Sequence, residues 1–222
     1  MGRPPADLAS IALLEDDLGA PGLIQPGAGL MPLELDAGVP DAAVLCFFQD
    51  VLESLAAGIL EEVIALGCTR VVACGGAGAL RDELVLGHAV VVAEAVRDEG
   101  TSFHYLPPSR TVAADPGGVA VLEALLFERG VEFVTGKSWT TDAFYREARP
   151  RIDRRVAEGC LTVEMEAAAF MAVARFRGVR FAQLLYAGDS LAGETWEARG
   201  WNRAGTVREG LFTLALEAVG RL

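Results

Sequence analysis

Short apolar runs of strand length alternate with stretches of helical period along most of this chain, and that alternation restricts the fold more than any other feature. Ala43 to Phe48 is apolar and strand-length, and Leu52, Leu55, Ile59, Val63 and Leu66 then recur at helical spacing, with Gly67 as a stop. Arg70 to Cys74 is the next strand and runs into Gly75-Gly76-Ala77-Gly78, which reads as a turn. Ala89 to Ala93 follows as a strand. Asp115-Pro116 supplies a cap and a first-position proline for a helix with Val119, Leu122, Leu125 and Leu126 inward and Gly130 at its end. Val131 to Val134 is a strand, and Thr140-Thr141-Asp142 offers caps for a short helix. Glu164 to Arg177 reads as a helix stopped by Gly178, Phe181 to Tyr186 as a strand, and Val207 to Val219 as a closing helix. Such alternation predicts an α/β single domain, a central mixed, largely parallel sheet flanked by helices. Residues 1–40, rich in Pro and Gly and carrying Glu15-Asp16-Asp17, read as an irregular N-terminal arm, and 41–222 as the domain.

The 222 residues are enough to bury one large core. A formal net charge of −12 repels nucleic-acid phosphates, so no nucleic-acid partner is expected, although a locally basic pocket could still take a small anion. Four cysteines without a C-x-x-C pair read as buried thiols in a reducing compartment. Two histidines exclude a His-rich metal site, and no metal is expected. With neither a leader-like apolar segment nor a run of membrane-spanning length, the expectation is a cytoplasmic protein with no membrane partner.

Two places invite chemistry. Glycines after a buried strand let a backbone approach a ligand and aim amide groups at an anion, or simply close a tight turn at a sheet edge. The run lacks both the G-x-G-x-x-G and the Gly-Lys-Ser/Thr pattern. Glu164 and Glu166 flank Met165 where a strand-like run becomes a helix; carboxylates there favour the helix start, or bind a ligand at a strand's C-terminal end, where one carboxylate can accept both hydroxyls of a ribose diol.

The run Val163-Glu164-Met165-Glu166-Ala167-Ala168-Ala169 resembles the V-E-M-E-A-A segment of the nucleoside phosphorylase superfamily, which includes nucleosidases. Further segments resemble the family in order: Val72 to Leu80, Gly87 to Val92, Ser138 to Tyr145, and Gly188-Asp189-Ser190. The resemblance implies that Glu166 holds the ribose hydroxyls, that Met165 packs on the sugar with Glu164 in support, and that Phe144 and Val163 contact the base. It implies a phosphate or water site at Gly76, Ala77 and Gly78, and Asp189 as the general acid that protonates a purine nitrogen. Arg199 or Arg203 would assist Asp189, and His104 sits in a loop that in the family approaches a neighbouring subunit.

The implied activity is cleavage of the N-glycosidic bond of a nucleoside, most simply phosphorolysis of a purine or uridine-type nucleoside. No cofactor is implied beyond inorganic phosphate as co-substrate, and the partners are the nucleoside and further copies of the chain, as a dimer or trimer of dimers. Ala73 and Gly76 stand where phosphorolytic members carry Arg and Ser/Thr, and the segment before Arg70 is shorter than in the family. Those departures keep hydrolysis open, and also a non-catalytic nucleoside-binding role. The arginines from Arg146 to Arg155 read as a solvated helix face.

Overall fold

The computed structural model describes residues 41–47 and 56–222, so the arm over 1–40, Leu52 and Leu55 lie outside the described residues. Strands and helices follow in the order β1 Ala42–Phe47, α1 Ala56–Ala65, β2 Arg70–Ala79, β3 Ala89–Asp98, β4 Thr111–Ala113, α2 Pro116–Glu128, β5 Phe133–Thr141, α3 Arg149–Ala157, β6 Cys160–Glu164, α4 Ala167–Arg177, β7 Arg180–Ser190 and α5 Gly205–Val219. Stops and caps fall where the residue chemistry puts them. Asp115 accepts from the Gly117 amide at 3.1 Å to open α2, and Gly67, Gly130 and Gly178 each turn the chain with positive φ.

The sheet is mixed, as expected, with β2 parallel to β1 and β7, and β5 parallel to β3 and β6. Three antiparallel contacts, β2 with β6, β3 with β7 and β3 with β4, complete it. Because β7 bridges β2 and β3 while β6 joins β2 to β5, the strands β2-β7-β3-β5-β6 close into a ring. Register slips at Ala77/Ala79, Val92/Glu94 and Lys137/Ser138. An extra residue in one strand bends it and steepens its twist, which a small ring of strands needs to close.

The glycine run is a correction to the sequence reading. Gly75 to Ala79 continues β2 instead of turning out of it, paired along one edge with β7 and at Gly78 and Ala79 with β6. Its glycines answer to neighbouring side chains. A Cβ on Gly76 would lie 3.1 Å from the Tyr186 ring, and one on Gly78 would lie 2.7 Å from Leu191 and 3.0 Å from Val163.

Two apolar layers cover the ring. One packs α1 and α4 against Val71, Ala73, Val90, Val92, Phe181 and Leu185; the other packs α2 and α5 against Val72, Cys74, Val91, Ala182, Leu184 and Tyr186. The alternation along β2 and β7 is the period-2 signature of strands buried on both faces. Helix α4 is buried throughout Ala167 to Ala174, and its alanines let the backbone lie close to its neighbours. Cys68, Cys74 and Cys160 are buried thiols, as read. Among the described residues no helix is long and apolar enough to cross a membrane.

Candidate functional site

Three strand ends meet on one side of the ring. Gly78 of β2 pairs with Val163 of β6, and Ala79 pairs with Ser190 of β7. A Cβ on Gly78 would fall 3.0 Å from Val163 Cγ1 and 3.5 Å from Asp189 Oδ1. Gly78, Val163 and Asp189, on three strands separate in sequence, are therefore neighbours in space.

Glu164 closes β6, paired with Thr140 of β5, and α4 begins only at Ala167. Its carboxylate is buried and fully engaged. Oε1 accepts from Thr140 Oγ1 at 2.6 Å and Ser138 Oγ at 3.3 Å; Oε2 accepts from the amides of Glu166 at 2.8 Å and Ala167 at 2.6 Å. Burial pushes the Glu164 carboxyl up, against the pull of those four donors. Glu164 thus performs the capping work at the start of α4, where amides and helix dipole favour a negative group. Thr140 adds a second tie, since its hydroxyl oxygen accepts from the Ala168 amide at 3.0 Å. Together they fix Met165, which is half-buried, and Glu166, which is the buried N-cap residue of α4.

Asp189 is half-buried at the end of β7 and accepts from Trp196 Nε1 at 2.6 Å. A bridge between Ser190 and Glu197 folds the intervening loop back so that Trp196, itself 61% exposed, reaches the aspartate. Arg149 at the start of α3 pins the same loop by donating to Leu191 O at 3.1 Å and Gly193 O at 2.6 Å. The short 3-10 turn Phe144–Arg146 and the adjoining Glu147 run into α3 just ahead of Arg149. Glu147 is half-buried, and desolvation, reinforced by the charge of Asp189, raises its carboxyl to about 7. Phe144 and Tyr145 lie against one another with ring centroids 3.8 Å apart and remain exposed at 46% and 88%.

The remaining predicted residues are placed as follows. Gly76 and Ala77 lie two residues and one residue further from the strand end than Gly78, paired with Tyr186 and Ala187 of β7. Arg199 donates to Leu84 O at 2.7 Å and lies 3.6 Å from Glu197, and Arg203 is exposed in the 3-10 turn Trp201–Arg203; the donor observed on Asp189 is Trp196. His104 is exposed, in a loop whose Tyr105 packs edge-on against Phe176. Phe176 sits about 15 Å along α4 from Glu166, by helix rise. The arginine run is only partly solvated, because Arg155 is buried over the Trp139 ring and paired with Asp98 at 2.9 Å.

Sequence reading missed Ser138, Thr140, Glu147 and Trp196. The first two carried a signal: hydroxyls at alternate positions of a strand face one side, where a buried carboxylate needs donors. Trp196 had none, because the Ser190–Glu197 bridge sets its partner, and Glu147 had none, because its burial depends on the folded chain around it.

Residues 37–210 match the sequence model of the Phosphorylase superfamily. A guanosine phosphorylase from Halorubrum lacusprofundi is 32% identical over 125 residues, which cover 56% of this chain and 52% of that protein. A uridine phosphorylase from Thermococcus kodakarensis is 29% identical over 135 residues, covering 54% and 48%. The chain spans about half the length of the curated relatives it matches. Solved structures with the same fold include a uridine phosphorylase from Vibrio fischeri, with TM-score 0.62 and 24% identity over 75% of this chain and 70% of that one. An AMP nucleosidase from Bacteroides thetaiotaomicron superposes with TM-score 0.63 and 22% identity, covering 76% and 67%.

Proposed function

Because the chain belongs to the phosphorylase superfamily, we propose that it cleaves the N-glycosidic bond of a nucleoside, by phosphorolysis of a purine or uridine-type substrate to free base and sugar 1-phosphate. One observation carries the reading: Val163, Gly78 and Asp189 come together beside a carboxylate pair set at the N-terminus of α4. Breaking the bond develops positive charge on the sugar and negative charge on the departing base. Glu166, with Met165 beside it and Glu164 fixing the backbone under both, supplies carboxylate oxygens for the ribose diol. Phe144 and Val163 flank the base. Asp189 donates a proton to a ring nitrogen, a contribution on the order of 10²–10⁴ in rate. Inorganic phosphate would enter as co-substrate near Gly76, Ala77 and Gly78, and no other cofactor is required.

Hydrolysis is the second reading, favoured by Ala73 and Gly76, which offer no side-chain ligand for phosphate where the phosphorolytic pattern has Arg and Ser/Thr. The reading places the protein in the cytoplasm, consistent with buried thiols, and in a homo-oligomer in which the His104 loop faces a neighbouring copy.

Incubation with guanosine, inosine, adenosine, uridine and AMP, with and without phosphate, tests this by chromatography of free base. Phosphate-dependent release of base is the expected result. Release independent of phosphate would move the assignment to hydrolysis, and intact substrate in every reaction would overturn cleavage.

A further inference from the structure

The two carboxyl oxygens of Asp189 face different surroundings. Oδ2 accepts from the Trp196 indole Nε1 at 2.6 Å. Oδ1 lies 3.5 Å from the point where a Cβ on Gly78 would stand, and that point is 3.0 Å from Val163 Cγ1. Oδ1 is thus the oxygen turned to the meeting of the strand ends. The loop that carries the indole is fixed twice. Ser190 and Glu197 exchange backbone hydrogen bonds of 2.9 Å across its base, and Arg149 grips Leu191 O and Gly193 O. Packing does not account for Trp196, which stays exposed and fills no core. No cation takes its place at the aspartate. Arg199 donates to Leu84 O and lies against Glu197, and Arg203 is exposed in its 3-10 turn. Among the described residues Asp189 enters no ion pair.

We propose that Trp196 is the positioning residue of the acid: its indole N–H keeps Asp189 Oδ2 as an acceptor, places the proton on Oδ1, and tightens its hold as that proton leaves. The inference rests on the cleavage reading above. An indole nitrogen has one N–H and accepts nothing, so Trp196 donates a hydrogen bond and neither gives nor takes a proton in turnover. While Asp189 is protonated, Oδ2 is its carbonyl oxygen and accepts a neutral bond, and the O–H sits on Oδ1. As the glycosidic C–N bond breaks, the Oδ1–H bond breaks and an N–H bond forms on the base. Asp189 becomes an anion, and the same indole bond becomes charge-assisted, roughly twice as strong as a neutral one. An interaction that strengthens along the reaction speeds the chemical step without holding the substrate more tightly. The base leaves neutral, and solvent, to which half-buried Asp189 is partly open, returns the proton.

Trp196→Phe keeps the ring and removes the N–H. Its kcat should fall about tenfold with KM within about threefold, the pattern of a bond that gains strength only in the transition state. Trp196→His, which restores a ring N–H, should recover part of the rate. In an Asp189→Asn background, Trp196→Phe should change kcat no further, because the indole acts only through the acid. A readout that needs no turnover comes from the indole N–H signals of the three tryptophans in nitrogen–proton NMR. The signal that disappears in Trp196→Phe should exchange slowly with water for an exposed indole, and should move and exchange faster in Asp189→Ala. An indole signal that depends on Asp189 without base release from any nucleoside would remove the cleavage reading and leave the indole hold on Asp189 standing. Wild-type kcat in Trp196→Phe, a loss confined to KM, or an indole signal indifferent to Asp189→Ala would overturn the proposal.

Discussion

The Glu164 carboxyl is ringed by donors that work against the upward push of its burial. Each of its four neighbours presents a hydrogen: the Thr140 and Ser138 hydroxyls on Oε1, the Glu166 and Ala167 amides on Oε2. A glutamine there keeps one carbonyl oxygen and turns two N–H groups toward donors. Glu164→Gln should therefore cost about 2–4 kcal/mol, as expected for a buried polar group left facing its like. Urea denaturation would measure it, and a midpoint unchanged from wild type would contradict the capping role. At this scale the sequence was partly readable. The motif drew attention to Glu164, Met165 and Glu166, but which glutamate caps the helix depends on where the strand stops. Glu164 is still in register with Thr140, and that pairing joins positions 24 residues apart. Trp196 shows the same limit, since its indole reaches Asp189 only because Ser190 and Glu197 pair across the loop.

At the scale of elements, starts and stops were legible because they depend on local chemistry. Asp115-Pro116 opens α2 and Gly178 closes α4 with φ of 70°. The glycine run misled because glycine serves both turns and tight packing, and only the Tyr186, Leu191 and Val163 side chains decide between them. The same distinction separates two glycines inside helices. A Cβ on Gly118 of α2 would sit 2.6 Å from Phe181 O and 3.0 Å from Ala182 Cβ, so α2 lies on β7 at a distance only glycine permits. Gly210 of α5 is exposed, with nothing within 4 Å of its would-be Cβ. Gly118→Ala should destabilise by about 1–3 kcal/mol, since backbone cannot give way as a flexible side chain can. Gly210→Ala should stabilise by up to about 1 kcal/mol, because alanine loses less freedom in a helix. Thermal melts of the pair should move in opposite directions, and a shift of the same sign in both would refute the contact on β7.

For the whole molecule, strand periodicity revealed the class and the mixed sheet but not the ring, because period 2 says which face a residue takes and not which strand it meets. Closure rests on β7, whose residues Leu184 to Tyr186 pair with Ala89 to Val91 at the far side of the ring from β6. A strand paired on both edges and covered on both faces cannot open without separating its neighbours, so its amides should be released only by global unfolding. Hydrogen exchange tests this. The amides of Leu184 and Leu185, and of Val72 and Ala73 in β2, should exchange at the full unfolding free energy, on the order of 5–15 kcal/mol. The amides of Arg146 and Glu147 are bonded only within their own short turn, to Ala143 O at 2.7 Å and Phe144 O at 3.1 Å, and should exchange at clearly lower free energy. That difference has a functional side. On the proposed cleavage reading, the segment carrying Phe144 would move to admit a base while the strand ends carrying Gly78, Val163 and Asp189 stay fixed. Exchange of the Leu184 amide below the global value, with α5 still protected, would show β7 opening separately and the ring failing as a cooperative unit.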